Sequence, residues 1–364
     1  MLTSFKSPNK LKKLLPGKAL SMITYHLHMT IGPTSPSPRI LLSTLITYSF
    51  VIFSVGLALY LLFLTKPAER GIKVKSFRQP DAVDLYAASK LGDYFTDDGW
   101  NVGEVKGIST QPDINGAAGM IVELNDGSIL FQKDLDSRRP LASLIKIVTA
   151  VVALEHMQPD QEIIVSEYAA TVGENSMGIS EGEVYTLEEL LYGLVLHSGN
   201  DAAYAIAEGV AGDVKTFVEW MNIKGKELGL KNSYFTDPSG LNDASYTSPR
   251  DLVYLTRYAL KNPKFKQVAA TLEKELPATS KHKYLSLYNQ TNLLSSYPGV
   301  AGVKTGYTEE AGLCLVTYAK NNGVEVVGVV LGSNDRKGDM ILMLDYAYSV
   351  EGVTIEHHLL DPVN

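Results

Sequence analysis

Residues Ile40–Thr65, ILLSTLITYSFVIFSVGLALYLLFLT, form a 26-residue run without one charged side chain. A helix rises about 1.5 Å per residue, so this run exceeds the roughly 30 Å hydrocarbon core of a bilayer and can span it with some tilt. A cleaved leader would have a shorter apolar region ending in small residues, whereas Leu64 and Thr65 are followed by Lys66 and Pro67. The segment reads as a retained signal anchor. Before it, residues 1–39 carry Lys6, Lys10, Lys12, Lys13, Lys18 and Arg39 and no acid. With +6 in that tail and −7 overall, the remaining residues carry −13. Such a basic tail is expected to stay in the cytoplasm while the rest crosses, although Lys66, Arg70, Lys73, Lys75 and Arg78 make the far flank basic too. An acidic body argues against nucleic acid as a partner. The lone Cys314 excludes an internal disulfide, a CxxC redox pair and a cysteine-rich zinc site. In GLCLVTYA it reads as a small core hydrophobe.

The chain divides into a basic cytoplasmic tail (1–39), the anchor (40–65), a polar extracytoplasmic linker (66–113) with a short helix over Asp81–Leu91, a folded domain (114–350) and a C-terminal tail (351–364). Within the domain, Gly119–Asp134 places two apolar runs around Asn125-Asp126-Gly127, a hairpin signal. Pro140 can open a helix at its first turn, and Leu141, Leu144, Ile145, Val148, Val151 and Val152 recur at helical spacing. Thr186 and Glu189 have capping-box spacing ahead of LLYGLVLH. Asn200 or Asp201 can cap the next helix, and Asp213 and Gly229 bracket another. Gly312–Gly332 reads as a second hairpin and Met340–Ser349 as a closing helix. Strands at both ends enclosing helices predict an antiparallel sheet assembled from both ends, with a helical subdomain inserted.

The helix after Pro140 contains an anomaly. Lys146 sits in an otherwise apolar face, three residues after Ser143, and on a helix those two are neighbours. A desolvated lysine loses its proton more readily and can then accept one from a hydroxyl, making Ser143 a nucleophile. The spacing alone says little, because Ser7–Lys10 and Ser280–Lys283 share it in polar surroundings. Two further stretches add to it. Ser198-Gly199-Asn200 lies between two predicted helices, where a loop can aim a hydroxyl and an amide into a cleft. Taken alone it reads as a helix break with Asn200 or Asp201 as cap. Lys304-Thr305-Gly306 precedes the final hairpin. A strand edge carrying that triplet offers a cation and a hydroxyl to a peptide's terminal carboxylate, and the glycine lets a substrate backbone lie close.

In this order the three sets resemble the signature of penicillin-recognising serine enzymes, most closely the low-molecular-mass D-alanyl-D-alanine carboxypeptidases. The resemblance runs from about Gly116 to Tyr348 and includes RRPLASLIKIVTAVVALE, SMGISEGEVYTLEELLYGLVLHSGNDAAYAIAE, FTDPSGLND and YPGVAGVKTGYTEEAGLCLV. It implies the α/β serine β-lactamase/DD-peptidase-like fold and peptidoglycan stem peptides as substrate, with β-lactams as covalent inhibitors. It implies no metal or organic cofactor. Ser143 would attack the carbonyl of the penultimate D-alanine and Lys146 would take its proton. Backbone N–H groups of Ser143 and Tyr307 would hold the oxyanion. Ser198 and Asn200 would relay protons and orient the substrate amide. Lys304 and Thr305 would hold the terminal carboxylate, with Arg336 a further candidate for that task, and Gly306 would let the substrate backbone lie close.

Departures from the family pattern are few. His197 stands at a position that varies, and there is no G-x-S-x-G elbow to support a histidine triad on Ser143. The C-terminal β-domain and amphipathic anchor of many relatives have no counterpart here, so the N-terminal span is expected to supply the tether. A β-lactamase commonly has Asp where Gly199 stands, and a glutamate-bearing loop where this chain has TDPSGLND, so slow deacylation of penicillin is expected. Two alternatives use the same residues or lack the activity: an endopeptidase cutting cross-links, and an inactive membrane-tethered peptidoglycan binder. A metal hydrolase is disfavoured, because His156, His197, His282, His357 and His358 lack HExxH-like spacing and the last two fall in what reads as a frayed tail.

Overall fold

The computed structural model describes residues 100–106, 110–291 and 293–360; the anchor Ile40–Thr65 and the helix expected at Asp81–Leu91 lie outside the described residues. Among the described residues no helix is long and apolar enough to cross a membrane.

Five strands make the central sheet: β1 (Ala118–Glu123), β2 (Ile129–Lys133), β3 (Val300–Thr308), β4 (Gly312–Asn321) and β5 (Val324–Ser333). Their order is β2-β1-β5-β4-β3 and every neighbouring pair is antiparallel. The two hairpins expected from the sequence therefore join through β1 and β5, with Ala118 opposite Leu331. Residues alternate across this sheet as a two-sided strand requires. Met120 and Val122 face a core shared with the helices, while Ile121 faces Met340, Met343 and Leu344 on the opposite side.

Among the described residues seven α-helices fall between β2 and β3: α1 (Lys146–His156), α2 (Glu167–Thr171), α3 (Leu187–Val195), α4 (Asn200–Ala211), α5 (Val214–Glu227), α6 (Pro249–Lys261) and α7 (Pro263–Ala270). The last, α8 (Arg336–Val350), covers the sheet's other face. Helix α1 is buried on all sides from Lys146 to Glu155, which explains its near-continuous apolar sequence. Thr186 and Glu189 form the expected capping box on α3, and Asp213 caps α5 by accepting from Thr216 N–H.

Four sequence expectations are corrected. Pro140 does not open a helix; with Arg139 it forms a two-residue strand paired to Tyr246–Thr247, and the helix is entered through a 3-10 turn, Ala142–Ile145. Neither Asn200 nor Asp201 caps α4, because Gly199 occupies the cap position without a side-chain bond. Helix α8 starts at Arg336 rather than Met340, capped by Asp335. The tail is not frayed around its histidines: His357 Nε2 lies 2.9 Å from Asp345 Oδ1 and its ring packs on Tyr297. At the other end, the last linker residues join the fold, with Val105 bridging to Ile129 and Gly103 N–H donating to Gly127 O. Cys314 is fully buried within β4, as a core hydrophobe should be.

Candidate active site

Ser143 stands on the 3-10 turn that leads into α1, just after Ala142, whose φ of +47° is uncommon for a residue with a side chain. Two close backbone approaches hold that turn in place. A Cβ added at Gly240 (φ +85°) would lie 2.0 Å from Ala142 O, and one at Gly306 would lie 3.2 Å from Ser143 N. The turn is thus gripped between the loop at Asp237–Asn242 and strand β3. Gly306 was expected to make room for substrate backbone; its nearest neighbours are this chain's own Leu141–Ser143.

Lys146 follows one turn later and is 0% exposed. Its Nζ lies 2.9 Å from Ser143 Oγ, 2.7 Å from Asn200 Oδ1 and 2.6 Å from the Ser239 carbonyl. A carbonyl and an amide oxygen can only accept. A neutral amine therefore spends its two N–H bonds on Asn200 and Ser239, and its lone pair faces the one partner able to donate, the Ser143 hydroxyl. Burial pushes the lysine down to about 7, opposed by the nearby carboxylates of Asp237, Asp201 and Glu174. The geometry and the charge balance agree on a lysine ready to act as base.

Asn200, the first residue of α4, ties this base to a second loop. Its Nδ2 donates to Gly173 O and its backbone N–H to Asn175 O. Next to it, Asp201 is fully buried and accepts from the N–H groups of Met177, Gly178 and Ile179 and from Ser176 Oγ. The residue read as a helix cap is therefore the clamp that fixes the 173–179 segment beside the site. Gly199 has no room to spare, since a Cβ there would stand 2.7 Å from Asp201 Oδ1. An aspartate at that position would collide with the clamp. Ser198 adopts φ +57°, is 1% exposed, and its Oγ has no hydrogen-bond partner among the described residues. His197 contributes its carbonyl, which accepts from Gln290 Nε2; its buried Nδ1 has no partner among the described residues.

The facing wall is β3 at the sheet's edge. Lys304 is 1% exposed and donates to Thr305 O at 3.1 Å. Burial first, then the neighbouring charges of Lys146 and Arg336, hold it well below the usual lysine range. Arg336, at the start of α8, donates from Nη1 to Gly306 O at 2.9 Å, which places it at the site. Ser143, Ser198, Thr305, Gly306, Tyr307 and Arg336 line one cleft of about 230 Å³, joined by Glu174, Asn175 and Gln290. Tyr307 presents an exposed side chain at its rim.

The sequence motifs thus converge: Ser143 reaches Lys146, and Ser198 and Thr305 share one cleft. A family profile described as D-alanyl-D-alanine carboxypeptidase matches residues 106–335. The chain belongs to that family. It is similar to D-alanyl-D-alanine carboxypeptidase DacF of Bacillus subtilis, with 36% identity over 239 residues covering 63% of this chain and 61% of that protein. The chain thus spans less than two thirds of that relative. The D-alanyl-D-alanine carboxypeptidase of Streptomyces sp. strain K15 shares 34% identity, over 66% of this chain and 90% of its own length. The solved structure of the Streptomyces K15 DD-transpeptidase superposes with a TM-score of 0.63 at 34% identity, covering 66% of this chain and all of that one. The antiparallel sheet with its helices is accordingly the DD-peptidase/β-lactamase-like α/β fold.

Motif reading missed Asp237, Ser239, Asp201 and Glu174 as parts of the site. Asp237 organises its loop by accepting from Ser239 N–H, Ser239 Oγ–H, Gly240 N–H and Asn242 N–H. Its signal was the turn-forming run Asp-Pro-Ser-Gly. Nothing local marks Glu174.

Proposed function

We propose that this chain is a serine D-Ala-D-Ala carboxypeptidase that removes the terminal D-alanine of peptidoglycan stem peptides through an acyl-enzyme on Ser143. The observation that carries it is the fully buried Lys146 amine, 2.9 Å from Ser143 Oγ, with its other contacts on obligate acceptors. Lys146 takes the Ser143 proton as Oγ bonds to the carbonyl carbon of the penultimate residue. The oxyanion lies between backbone N–H groups of Ser143 and Tyr307, which the close packing of Gly306 on Ser143 supports. Collapse breaks the C–N bond, and the leaving amine regains a proton from Lys146 by way of Ser198, whose unpartnered Oγ is available for that relay. Asn200 orients the base and the substrate amide. Water then hydrolyses the ester with the same groups. Lys304, Thr305 and Arg336 receive the terminal carboxylate. β-Lactams, which carry a carboxylate beside a strained amide, acylate the same serine.

The endopeptidase reading keeps a place because a 32% identical relative from Escherichia coli is named D-alanyl-D-alanine endopeptidase. Residues 66–364 incubated with a pentapeptide stem and with cross-linked dimer decide between them. Loss of one D-alanine from the pentapeptide is expected, read by mass; cleavage of the dimer alone would replace the first reading with the second. Absence of a penicillin adduct on Ser143 would leave only a binder.

The charge-free segment Ile40–Thr65, with the basic tail before it, supports a single-pass anchor in the bacterial cytoplasmic membrane. The catalytic residues then lie outside the cytoplasmic membrane, where peptidoglycan is. Protease added to intact cells should degrade the domain and spare the N-terminal tail.

A further inference from the structure

The cleft is electrically lopsided. Lys304 has Lys146 and Arg336 as its charged neighbours, and Arg336 is bonded to β3 through Gly306 O. On the α4 side the charged group lining the same cleft is Glu174. Its carboxylate is exposed and, among the described residues, has no ion-pair partner. Its placement is nonetheless fixed. Gly173 O accepts from Asn200 Nδ2 at 3.1 Å and Asn175 O accepts from Asn200 N–H at 2.7 Å, so both neighbours of Glu174 hang on the residue that also holds Lys146. Glu174 itself has φ +66°. A side-chain-bearing residue in that region costs energy and persists where the surroundings impose it, which happens most often at functional sites. The adjacent Gly173 would adopt such a backbone more easily.

A substrate seated with its C-terminal carboxylate toward Lys304 and Arg336 places its scissile carbonyl at Ser143 and its upstream residues toward the 173–175 segment. We propose that Glu174 is a specificity residue that favours peptides whose residue before the two terminal alanines carries a free side-chain amine. The inference rests on the carboxypeptidase reading and names one chemical feature of its substrate. A carboxylate at one end of the ligand and an ammonium near the other complement the two ends of the cleft. The contact is solvent-exposed, so the expected preference is modest, roughly two- to fivefold in kcat/KM.

Two acyl-lysyl-D-alanyl-D-alanine peptides test this, one with its lysine ε-amine free and one with that amine acetylated, on wild type and Glu174→Gln. Glu174 also acts on Lys146, but that influence is common to both peptides and cancels in their ratio. Wild type should prefer the free amine, the preference should shrink as salt rises, and Glu174→Gln should abolish it while still hydrolysing the acetylated peptide. Equal rates on both peptides in wild type, or a preference that survives in Glu174→Gln, would overturn the inference and leave the carboxypeptidase reading standing. Failure to hydrolyse either peptide would overturn both.

Discussion

Two lysines lie behind the walls of this cleft, each with almost no exposure, and in the proposed mechanism they serve opposite ends of one reaction. Lys146, on the helical wall, is caged by three oxygen partners and has three carboxylates in its surroundings. Lys304, on the strand wall, bonds to Thr305 O and has two cations as its charged neighbours. Burial disfavours the ammonium form in both. What differs is the second ring of groups. Around Lys146, acceptors fix the amine and aim its lone pair at Ser143, so burial yields a base. Around Lys304, positive charge with few acceptors leaves a site that an incoming carboxylate completes, so burial yields an anion receptor.

Removing each lysine should separate chemistry from binding. Lys146→Met is expected to slow acylation of Ser143 by a fluorescent penicillin by on the order of 10⁴-fold or more. Reversible binding of a carboxylate ligand should stay near wild type, and an equal loss of both would show that the walls do not divide the work. Lys304→Met should weaken the same ligand by on the order of 100-fold, the usual cost of deleting one partner of a buried charge pair. A neutral acylating reagent should still label Ser143 in that variant at a rate near wild type.

A smaller effect checks the anion receptor directly. Lys304 is held below the ordinary lysine range in the free protein, and a bound carboxylate favours its charged form. Binding should therefore take up as much as one proton, and affinity should fall as pH rises. Calorimetric titrations in two buffers of different ionisation enthalpy give the number of protons. No difference between the buffers would mean that Lys304 is already charged.

The sheet was the most legible part of the molecule, because alternating Val and Ile around Asn-Asp-Gly and Lys-Asn-Asn-Gly turns leaves few other structures open. The motif residues were also legible, since Ser143, Lys146, Ser198, Asn200 and Thr305 meet where their order in the chain implied, with Lys304 buried close by. What the sequence hid was the support behind them. Asp201 had the composition of a helix cap, yet it holds a loop that lies more than twenty residues earlier. Pro140 was a plausible helix start until its pairing with Tyr246 made it a strand. Both misreadings came from taking a local preference where a distant segment supplied the partner, and such partners have no periodicity to betray them. Arg336 came into the site for a similar reason: α8 begins a turn earlier than its apolar pattern, because Asp335 caps it.

Asp237 gives the finest test of why the two lysines differ. It is buried, it shapes the loop that offers Ser239 O to Lys146, and it is the foremost of the carboxylates that oppose the effect of burial on that amine. Asp237→Asn keeps an oxygen for the Ser239 and Gly240 N–H groups but turns an NH₂ toward Asn242 N–H, costing about 1 kcal/mol of stability. The informative readout is the pH profile. A negative charge favours the ammonium, so removing it lowers the pKa of Lys146 further below its value of about 7. The neutral base is then present at lower pH, and the acid limb of the acylation rate should move toward acid. A purely structural role for Asp237 would reduce the rate at every pH and leave that limb in place, and a limb displaced toward alkali would mean that its charge does not act on Lys146 as the geometry indicates.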